Sequence, residues 1–205
     1  MNDDLESRLT AGATPDLDLD LAQLRAVLAR RAAQDGLLDV AYGTYDSPLG
    51  PLTVFVTPRG LVRLSYPGEP VDDQLDELAT LISPRVMAAP ERTDDVRRQL
   101  DDYFGGTRRD FELPIDWRLL RGFRADVLRA TSQIPFGSVI SYRDVAAAAG
   151  SPNAYRAAGN ALGSNPIPIV VPCHRVVHAG GGLGGYTGGL ERKQFLLRLE
   201  GVLDG

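Results

Sequence analysis

Val171-Pro172-Cys173-His174-Arg175-Val176-Val177 contains the only cysteine of the 205-residue chain, and a histidine follows it directly. A thiol acts as a nucleophile only as the thiolate, which requires a neighbouring positive charge or hydrogen-bond donor and usually a base. Proline suits the first position of a helical turn, so a turn starting at Pro172 would place the sulfur near unpaired N–H groups that favour the thiolate. The sequence therefore predicts a reactive cysteine.

A structural thiol is the alternative, because free cysteine is among the most buried residue types and commonly lies in apolar runs. Adjacent side chains point in different directions in both strands and helices. His174 should therefore not touch Cys173 directly, and a water between the two is the simpler geometry.

The residues on either side extend this pattern. Asn160-Ala161-Leu162-Gly163-Ser164-Asn165-Pro166-Ile167-Pro168-Ile169-Val170 precedes it, Gly184-Gly185-Tyr186-Thr187-Gly188-Gly189-Leu190 follows it, and Lys193 and Leu199-Glu200-Gly201 come later. From Ala41 to Gly201 the chain resembles the methylated-DNA–protein-cysteine methyltransferases, a family of DNA-repair alkyltransferases. Pro-Cys-His-Arg is a specific signature when it follows Asn-Pro-x-Pro at this spacing.

The resemblance implies an α+β fold with two domains. Residues 39–116 would form a ribonuclease-H-like α/β domain with a small antiparallel sheet, which mainly supports the active domain. Residues 117–205 would form a mostly helical domain with a helix-turn-helix. Residues 1–38 are an acidic extension outside the resemblance, and apolar residues at helical spacing from Leu17 to Leu28 predict that it is partly helical.

The residue patterns agree with this division. Turn residues separate three β-type runs between Ala41 and Tyr66 and predict an antiparallel meander. Ser141, with Asp144 three residues later, predicts a helix N-cap, and two short helices around Gly150 predict the helix-turn-helix. Periodic apolar residues and helix-ending glycines predict helices over Val71–Ile82, Thr93–Phe104, Leu119–Gln133, Ser141–Ala149, Asn153–Leu162 and Leu190–Glu200.

Charge divides the chain in the same place. Residues 1–116 carry 12 Arg against 22 Asp and Glu, a net charge of −10, whereas residues 117–205 carry 10 Arg and Lys against 5 Asp and Glu, a net charge of +5. Only the second half has the sign that phosphate attracts, so it is predicted to face nucleic acid. Arginine that simply solvates helix faces is the alternative.

For the reaction, the resemblance implies that an alkyl group passes from the 6-oxygen of guanine, in a flipped-out nucleotide, to Cys173. His174 would be the general base, acting through a water, and Glu200 would orient and polarise it. Asn165 would brace the turn before the cysteine. Tyr142 would help rotate the nucleotide and donate a hydrogen bond to the base.

For substrate and DNA contacts, the resemblance implies that Val176 and Thr187 line the base pocket through their backbones, with Tyr186 beside them and Lys193 steadying the chain. The second helix of the helix-turn-helix would enter the minor groove, and Arg156 would fill the gap left by the base. The other residues expected at DNA are Ser141, Tyr142, Ala154, Tyr155, Ala157 and Gly159. The chain departs from the family pattern at Phe123-Arg124 and Leu128, so altered core packing and altered substrate width are expected.

The implied substrate is 6-O-methylguanine in double-stranded DNA, with other 6-O-alkylguanines and 4-O-methylthymine. The thioether product has no easy leaving group, so each molecule would react once. A non-catalytic lesion-binding protein is the first alternative, although such proteins lack the reactive cysteine. A Cys-His-Glu hydrolase is the second, and it would need direct contact between Cys173 and His174.

No cofactor or metal is expected, because one cysteine and two histidines form no recognisable zinc-binding set. The glycine-rich loop Gly180–Tyr186 lacks the lysine and helix start of a phosphate-binding loop, so no nucleotide cofactor is expected. A single cysteine indicates a reducing compartment, and no apolar run has spanning length. We therefore expect a cytoplasmic protein with no membrane contact. We also expect a monomer, and cooperative binding along DNA stays open.

Overall fold

Three consecutive strands form the meander that the turn residues predict. In the computed structural model, which describes residues 17–204, they are β1 (Val40–Ser47), β2 (Gly50–Thr57) and β3 (Gly60–Ser65). A fourth strand, β4 (Val86–Ala88), pairs parallel with β1 and completes a sheet in the order β3-β2-β1-β4. The sheet is therefore mixed rather than purely antiparallel. The sequence did not predict β4, because three residues are too few to show alternation.

Helices cover this sheet and build most of the second half. They are α1 (Leu17–Gln34), α2 (Val71–Leu81), α3 (Asp94–Phe104), α4 (Gly122–Thr131), α5 (Tyr142–Ala148), α6 (Tyr155–Gly163) and α7 (Leu190–Leu199). Short 3₁₀ turns occupy Pro90–Thr93, Trp117–Leu119 and Cys173–Arg175, and a two-stranded parallel sheet joins β5 (Ile140–Ser141) to β6 (Val176–Val177). The α+β fold with a mostly helical second half is as predicted.

The helix predicted over Leu119–Gln133 begins later than expected. Trp117–Leu119 forms a separate 3₁₀ turn, and the Asp116 side chain caps it by accepting from the Arg118 N–H. The backbone of Leu120 and Arg121 is extended, and α4 begins only at Gly122. Local capping by Asp116 therefore outweighs the helical pattern here.

The helix predicted in the N-terminal extension forms, but its apolar face does not pack on the body. Leu24, Val27 and Leu28 are 64%, 55% and 57% exposed, whereas Ala29 is buried. The ion pair between Arg85 and Asp39 fixes the chain just after the helix. The acidic sequence around Pro15, assigned to the same extension, lies outside the described residues.

The two halves share one hydrophobic core. Leu100 and Tyr103 from α3 belong to the same buried cluster as Leu128 from α4 and Leu196 from α7. Leu128, where the sequence departs from the family pattern, is fully buried in it. The first half therefore lies directly against the elements that carry the cysteine.

The helix-turn-helix consists of α5 and α6. Ser141 caps α5 with the predicted capping box, in which its side chain accepts from the Asp144 N–H and the Asp144 carboxylate accepts from the Ser141 N–H. Gly150, with φ of 79°, allows the turn that follows. Among the helices of residues 17–204, none has the length and apolar character that crossing a bilayer requires.

Candidate active site

Cys173 begins a buried 3₁₀ turn at the end of a strained segment. The chain reaches it through Ile169, a buried β-branched residue with φ of 72°. Such a backbone conformation is unfavourable for a branched side chain and persists only where the surroundings impose it. Here Val171 N–H donates to the Ile167 carbonyl at 2.9 Å and Cys173 N–H to the Val171 carbonyl at 2.8 Å, so the cysteine sits on a tightly bonded backbone.

Asn165 connects this segment to the sulfur. Its Nδ2 donates to the Val171 carbonyl at 2.8 Å and to Cys173 Sγ at 3.1 Å, while its Oδ1 accepts from the Ile167 N–H at 3.0 Å. The sequence predicted that Asn165 braces the turn. It did not predict the direct contact with the thiol.

Cys173 does not show the thiolate form that the sequence predicted from the turn at Pro172. The turn at Pro172 forms, but Cys173 is only 7% exposed, and burial raises the pKa of its thiol. Hydrogen bonding from Asn165, the charge of Lys193 and hydrogen bonding from Tyr186 oppose this rise in pKa without cancelling it. A three-residue turn is too short for a strong dipole, so the resting sulfur is a thiol rather than a thiolate.

A buried charge cluster lies behind the cysteine. His174 Nε2 and Glu200 Oε1 are 2.9 Å apart, and the guanidinium of Arg175 donates to the same carboxylate through Nε at 2.9 Å and Nη2 at 2.8 Å. Tyr103, from the first half, donates its hydroxyl proton to Glu200 Oε1 at 2.7 Å. His174 and Glu200 therefore meet as predicted, inside a larger network.

This network fixes the state of the imidazole. Burial favours the neutral form of Glu200, but hydrogen bonds from His174 and Arg175 outweigh it and lower the pKa of Glu200 to about 2. Burial lowers the pKa of His174, so its ring is neutral at pH 7. Nε2 then donates to the carboxylate, and Nδ1 is left as an acceptor to which none of the described residues donates.

Lys193 ties two segments around the site together. Its ammonium is fully buried and donates to the carbonyls of Val176, at 2.6 Å, and Leu183. Burial lowers the pKa of Lys193 to about 8, while a negative charge on Cys173, present only in the thiolate, acts in the opposite direction. Lys193 thus joins β6 to the glycine-rich loop, in the steadying position expected for it.

A cavity of about 530 Å³ opens in front of the sulfur, and we call it the reactive cavity. Its walls come from α5, α6 and the loop before α7. The lining residues are Tyr142, Tyr155, Arg156, Gly159, Leu162, Gly163, Cys173, His178, Gly185, Tyr186 and Thr187. Six residues expected at substrate or DNA therefore line the cavity with the thiol: Tyr142, Tyr155, Arg156, Gly159, Tyr186 and Thr187.

Val176 and Lys193 are not in this lining. Val176 is fully buried in the small parallel sheet, where its carbonyl accepts from Lys193, and it does not line the reactive cavity as expected. Thr187 lines the cavity, and its hydroxyl donates to the Gly163 carbonyl, which closes the loop onto α6.

A second cavity of about 250 Å³ reaches Cys173 from the side of the first half, and we call it the interdomain cavity. Tyr66, Arg63 and Arg124 line it together with Cys173 and Tyr186. Arg124, the second point of departure from the family pattern, donates to the Ser164 carbonyl at 2.6 Å. Cys173 therefore lines both cavities.

The residues expected at DNA form an exposed surface on α5 and α6. Tyr155 is 39% exposed, and its ring lies between the guanidinium groups of Arg143, at 6.0 Å, and Arg156, at 5.7 Å. Ala157 is exposed, whereas Ala154, Gly159 and Ser141 are half-buried. This surface borders the reactive cavity.

Besides Tyr66 in the interdomain cavity, three residues around the site were missed by sequence reasoning. Arg175 stood in the signature without a role, Tyr103 belongs to a half that showed no cluster of site residues, and His178 stacks against the Tyr142 ring at 5.3 Å. The adjacency of His178 to the signature was a local signal for it. Tyr103 had none, because 97 residues separate it from Glu200.

Two family models match the chain. Residues 122–202 match "6-O-methylguanine DNA methyltransferase, DNA binding domain", and residues 40–117 match "6-O-methylguanine DNA methyltransferase, ribonuclease-like domain". The chain is 42% identical over 165 residues to a methylated-DNA–protein-cysteine methyltransferase of Mycolicibacterium paratuberculosis, covering 78% of this chain and 92% of that protein. It is 38% identical over 162 residues to the constitutive enzyme of Bacillus subtilis, covering 78% of this chain and 95% of the other.

Solved structures show the same likeness. The crystal structure of the Mycobacterium tuberculosis O6-methylguanine methyltransferase superimposes with a TM-score of 0.67 at 39% identity, covering 78% of this chain and 92% of that one. The structure of M. tuberculosis OGT in complex with DNA superimposes with a TM-score of 0.67 at 38% identity and the same coverage. The likeness covers both halves of the described fold.

Proposed function

Because the chain belongs to the methylated-DNA–protein-cysteine methyltransferase family, and so repairs DNA by transferring alkyl groups to cysteine, we propose that Cys173 is the acceptor and that the substrate is 6-O-alkylguanine in double-stranded DNA. One observation carries this assignment: the sole thiol of the chain lies at the wall of the reactive cavity. The same cavity admits 4-O-methylthymine as a smaller base with an equivalent alkyl ether.

The transfer is a displacement at the alkyl carbon. The thiol proton leaves through a water to Nδ1 of His174, which is the acceptor nitrogen because Nε2 donates to Glu200. The sulfur then forms a bond to the alkyl carbon while the bond between that carbon and the guanine oxygen breaks. Tyr142, in the same cavity, donates a hydrogen bond to the departing guanine anion, which takes up a proton from water in place of the alkyl group while His174 returns its proton to solvent.

The charge cluster makes this proton transfer feasible. When His174 takes up the proton, its positive charge lies 2.9 Å from an ionised Glu200. Arg175 and Tyr103 hold the carboxylate in place. Asn165 donates to the sulfur as its negative charge develops. Each group is in position before the reaction.

Access to the alkyl carbon requires the nucleotide to leave the duplex. We propose that α6 of the helix-turn-helix enters the minor groove and that Arg156 occupies the space of the extruded base. Arg156 and Tyr142 line the reactive cavity from opposite helices, which supports entry of the base between them. The interdomain cavity on the other side of Cys173 provides room for alkyl groups larger than methyl.

The product is a thioether at Cys173, and a thioether carbon has no activated leaving group. We propose that each molecule therefore reacts once. We also propose that the protein acts as a monomer.

Intact-mass measurement tests this function. Incubation with excess duplex containing 6-O-methylguanine should add the mass of one methyl group, and peptide mapping should place it on Cys173. Cys173→Ala should gain no mass and should still bind the duplex. Addition of a second methyl group, or transfer by the alanine variant, would contradict the proposal.

A further inference from the structure

Tyr66 brings the first half of the chain into the reactive centre. It lies just after β3, and its hydroxyl is 2.7 Å from the Tyr186 hydroxyl, although 120 residues separate the two tyrosines. Tyr186 lines the reactive cavity beside Cys173, and all three residues line the interdomain cavity. The first half therefore contacts the group that stands next to the sulfur.

The packing around this pair leaves little freedom. The Arg192 guanidinium lies over the Tyr66 ring at 4.7 Å from its centroid and donates to the Gly188 carbonyl at 2.8 Å. A Cβ atom on Gly188 would lie 2.6 Å from the Tyr66 ring and 2.8 Å from the Tyr186 ring. Glycine at 188 is thus what allows the two phenols to meet.

Proton counting shows that one of the two hydroxyls keeps a proton that the pair itself does not use. Burial raises the pKa of both phenols above the ordinary value, so both are protonated at neutral pH. Two hydroxyls share one hydrogen bond, which leaves one proton free. Either hydroxyl can donate in this pair, and no second acceptor for the remaining proton lies among the described residues in the resting protein.

With Tyr66 as the donor, the free proton belongs to Tyr186, and Tyr186 stands beside the sulfur. Hydrogen bonding from Tyr186 lowers the pKa of the Cys173 thiol. A hydroxyl whose oxygen already accepts a hydrogen bond is a stronger donor.

We propose, on the basis of the function above, that Tyr66 is a positioning residue that donates to Tyr186 and thereby directs the Tyr186 proton to the Cys173 sulfur as the thiolate forms. Two donors then stabilise the negative charge that develops on the sulfur. Asn165 lies just after the end of α6, and Tyr186 lies in the loop before α7. The first half of the chain acts on the nucleophile through one hydroxyl group.

The pH dependence of thiol reactivity tests this role. Cys173 is the only cysteine, so the rate of its alkylation by iodoacetamide, followed by intact mass, reports on this thiol alone. Tyr66→Phe keeps the ring beneath Arg192 and removes only the hydroxyl. Its pH–rate profile should move to higher pH, and its rate at neutral pH should fall by about three- to tenfold, as expected for one lost hydrogen bond. Tyr186→Phe should show at least the same loss.

A double variant decides whether Tyr66 acts through Tyr186. Tyr66→Phe with Tyr186→Phe should match Tyr186→Phe alone. Gly188→Ala, which separates the two rings, should shift the profile in the same direction. The matched control is Tyr45→Phe, which also removes a hydroxyl bonded at 2.8 Å, here to Asp101, and should keep the wild-type profile.

An unchanged profile in Tyr66→Phe, or losses that add in the double variant, would overturn the proposal. Because iodoacetamide needs no DNA, this result is separate from the proposed function. Failure of methyl transfer with a shifted thiol profile would refute the function and leave the hydrogen-bond chain intact.

Discussion

Cys173 combines a buried resting thiol with donors placed for its anion. Burial raises the pKa of the thiol, and donors such as Asn165 at 3.1 Å lower it. The thiolate therefore forms only when a base takes the proton of Cys173. This happens next to a substrate that has entered the reactive cavity. A sulfur that remains protonated at rest is also less open to oxidation, because the thiolate is the form that oxidants attack.

We propose that Arg156 acts in extrusion of the base and not in transfer of the alkyl group. It is exposed on α6 and stacks against Tyr155. Arg156→Ala should slow repair of 6-O-methylguanine in duplex DNA, because the gap left by the base is no longer filled. Reaction with a free alkylated guanine base should stay nearly unchanged, because that substrate needs no extrusion.

The measurement compares transfer rates of the variant on the two substrates. Arg129→Ala, which removes an exposed arginine stacked on Trp117 away from the reactive cavity, serves as the control. Equal loss on both substrates in Arg156→Ala would place this residue in the chemical step or the fold and would refute its role at DNA.

Among the elements, α5 depends most on its first residues. It has seven residues, so intrinsic helix stability is small and its cap matters. The Ser141 hydroxyl is 2.7 Å from the Asp144 carboxylate, and the Ser141 N–H is 3.0 Å from it. These contacts set the direction in which Tyr142, the first helical residue, enters the reactive cavity.

Ser141→Ala should lower the free energy of unfolding by about 1 kcal/mol, the usual cost of losing a serine N-cap. Urea denaturation measures it, with exposed Ser138→Ala as the control that should change little. If stability is unchanged while DNA affinity falls, Ser141 is a contact for phosphate and the cap is unimportant. If stability falls alone, its place among the DNA contacts is wrong.

At the scale of the whole molecule, the two halves differ in net charge and in the groups that they bring to the site. The acidic first half has a net charge of −10, which phosphate repels, and it carries Tyr66 and Tyr103, whose hydroxyls reach the groups around the cysteine. The second half has a net charge of +5 and the helices that border the reactive cavity. We therefore expect DNA to contact the second half, while Tyr66 and Tyr103 of the first half contact the groups around the cysteine.

Stability should fall with acid because of the buried cluster around Glu200. The pKa of Glu200 in the folded protein is about 2, below its ordinary value of 4.5, so its contribution is present above pH 4.5 and is lost as the pH falls toward 2. The pKa of His174 is also lowered in the folded protein, so His174 likewise makes the protein less stable as the pH falls below the ordinary histidine pKa of 6.5. The shift of Glu200 corresponds to a loss on the order of 3 kcal/mol.

Urea denaturation between pH 7 and pH 3 checks this expectation. Glu200→Gln should be less stable at pH 7 and should lose less stability on acidification, since it cannot take up that proton. The control is Glu112→Gln, whose side chain is 84% exposed and which should follow the wild-type curve. A Glu200→Gln curve parallel to the wild type would show that another group governs acid unfolding.

The sequence by itself determined the features that depend on near neighbours. The turns of the meander, the cap at Ser141 and the helix-turn-helix around Gly150 follow from residues a few positions apart, whose conformational preferences act locally. The signature around Cys173 and the change in the sign of the net charge between the two halves can also be read directly from the sequence. These features located the reactive cysteine and the half of the chain that faces DNA.

Tertiary structure alone decided what surrounds the sulfur. It buried Cys173 enough to raise its pKa, placed Arg175 on Glu200, and brought Tyr66 and Tyr103 to the site across 120 and 97 residues. It also added β4 to the sheet and left the apolar face of α1 exposed. No local pattern encodes such contacts, because burial and long-range hydrogen bonds arise only when the two halves pack into one core.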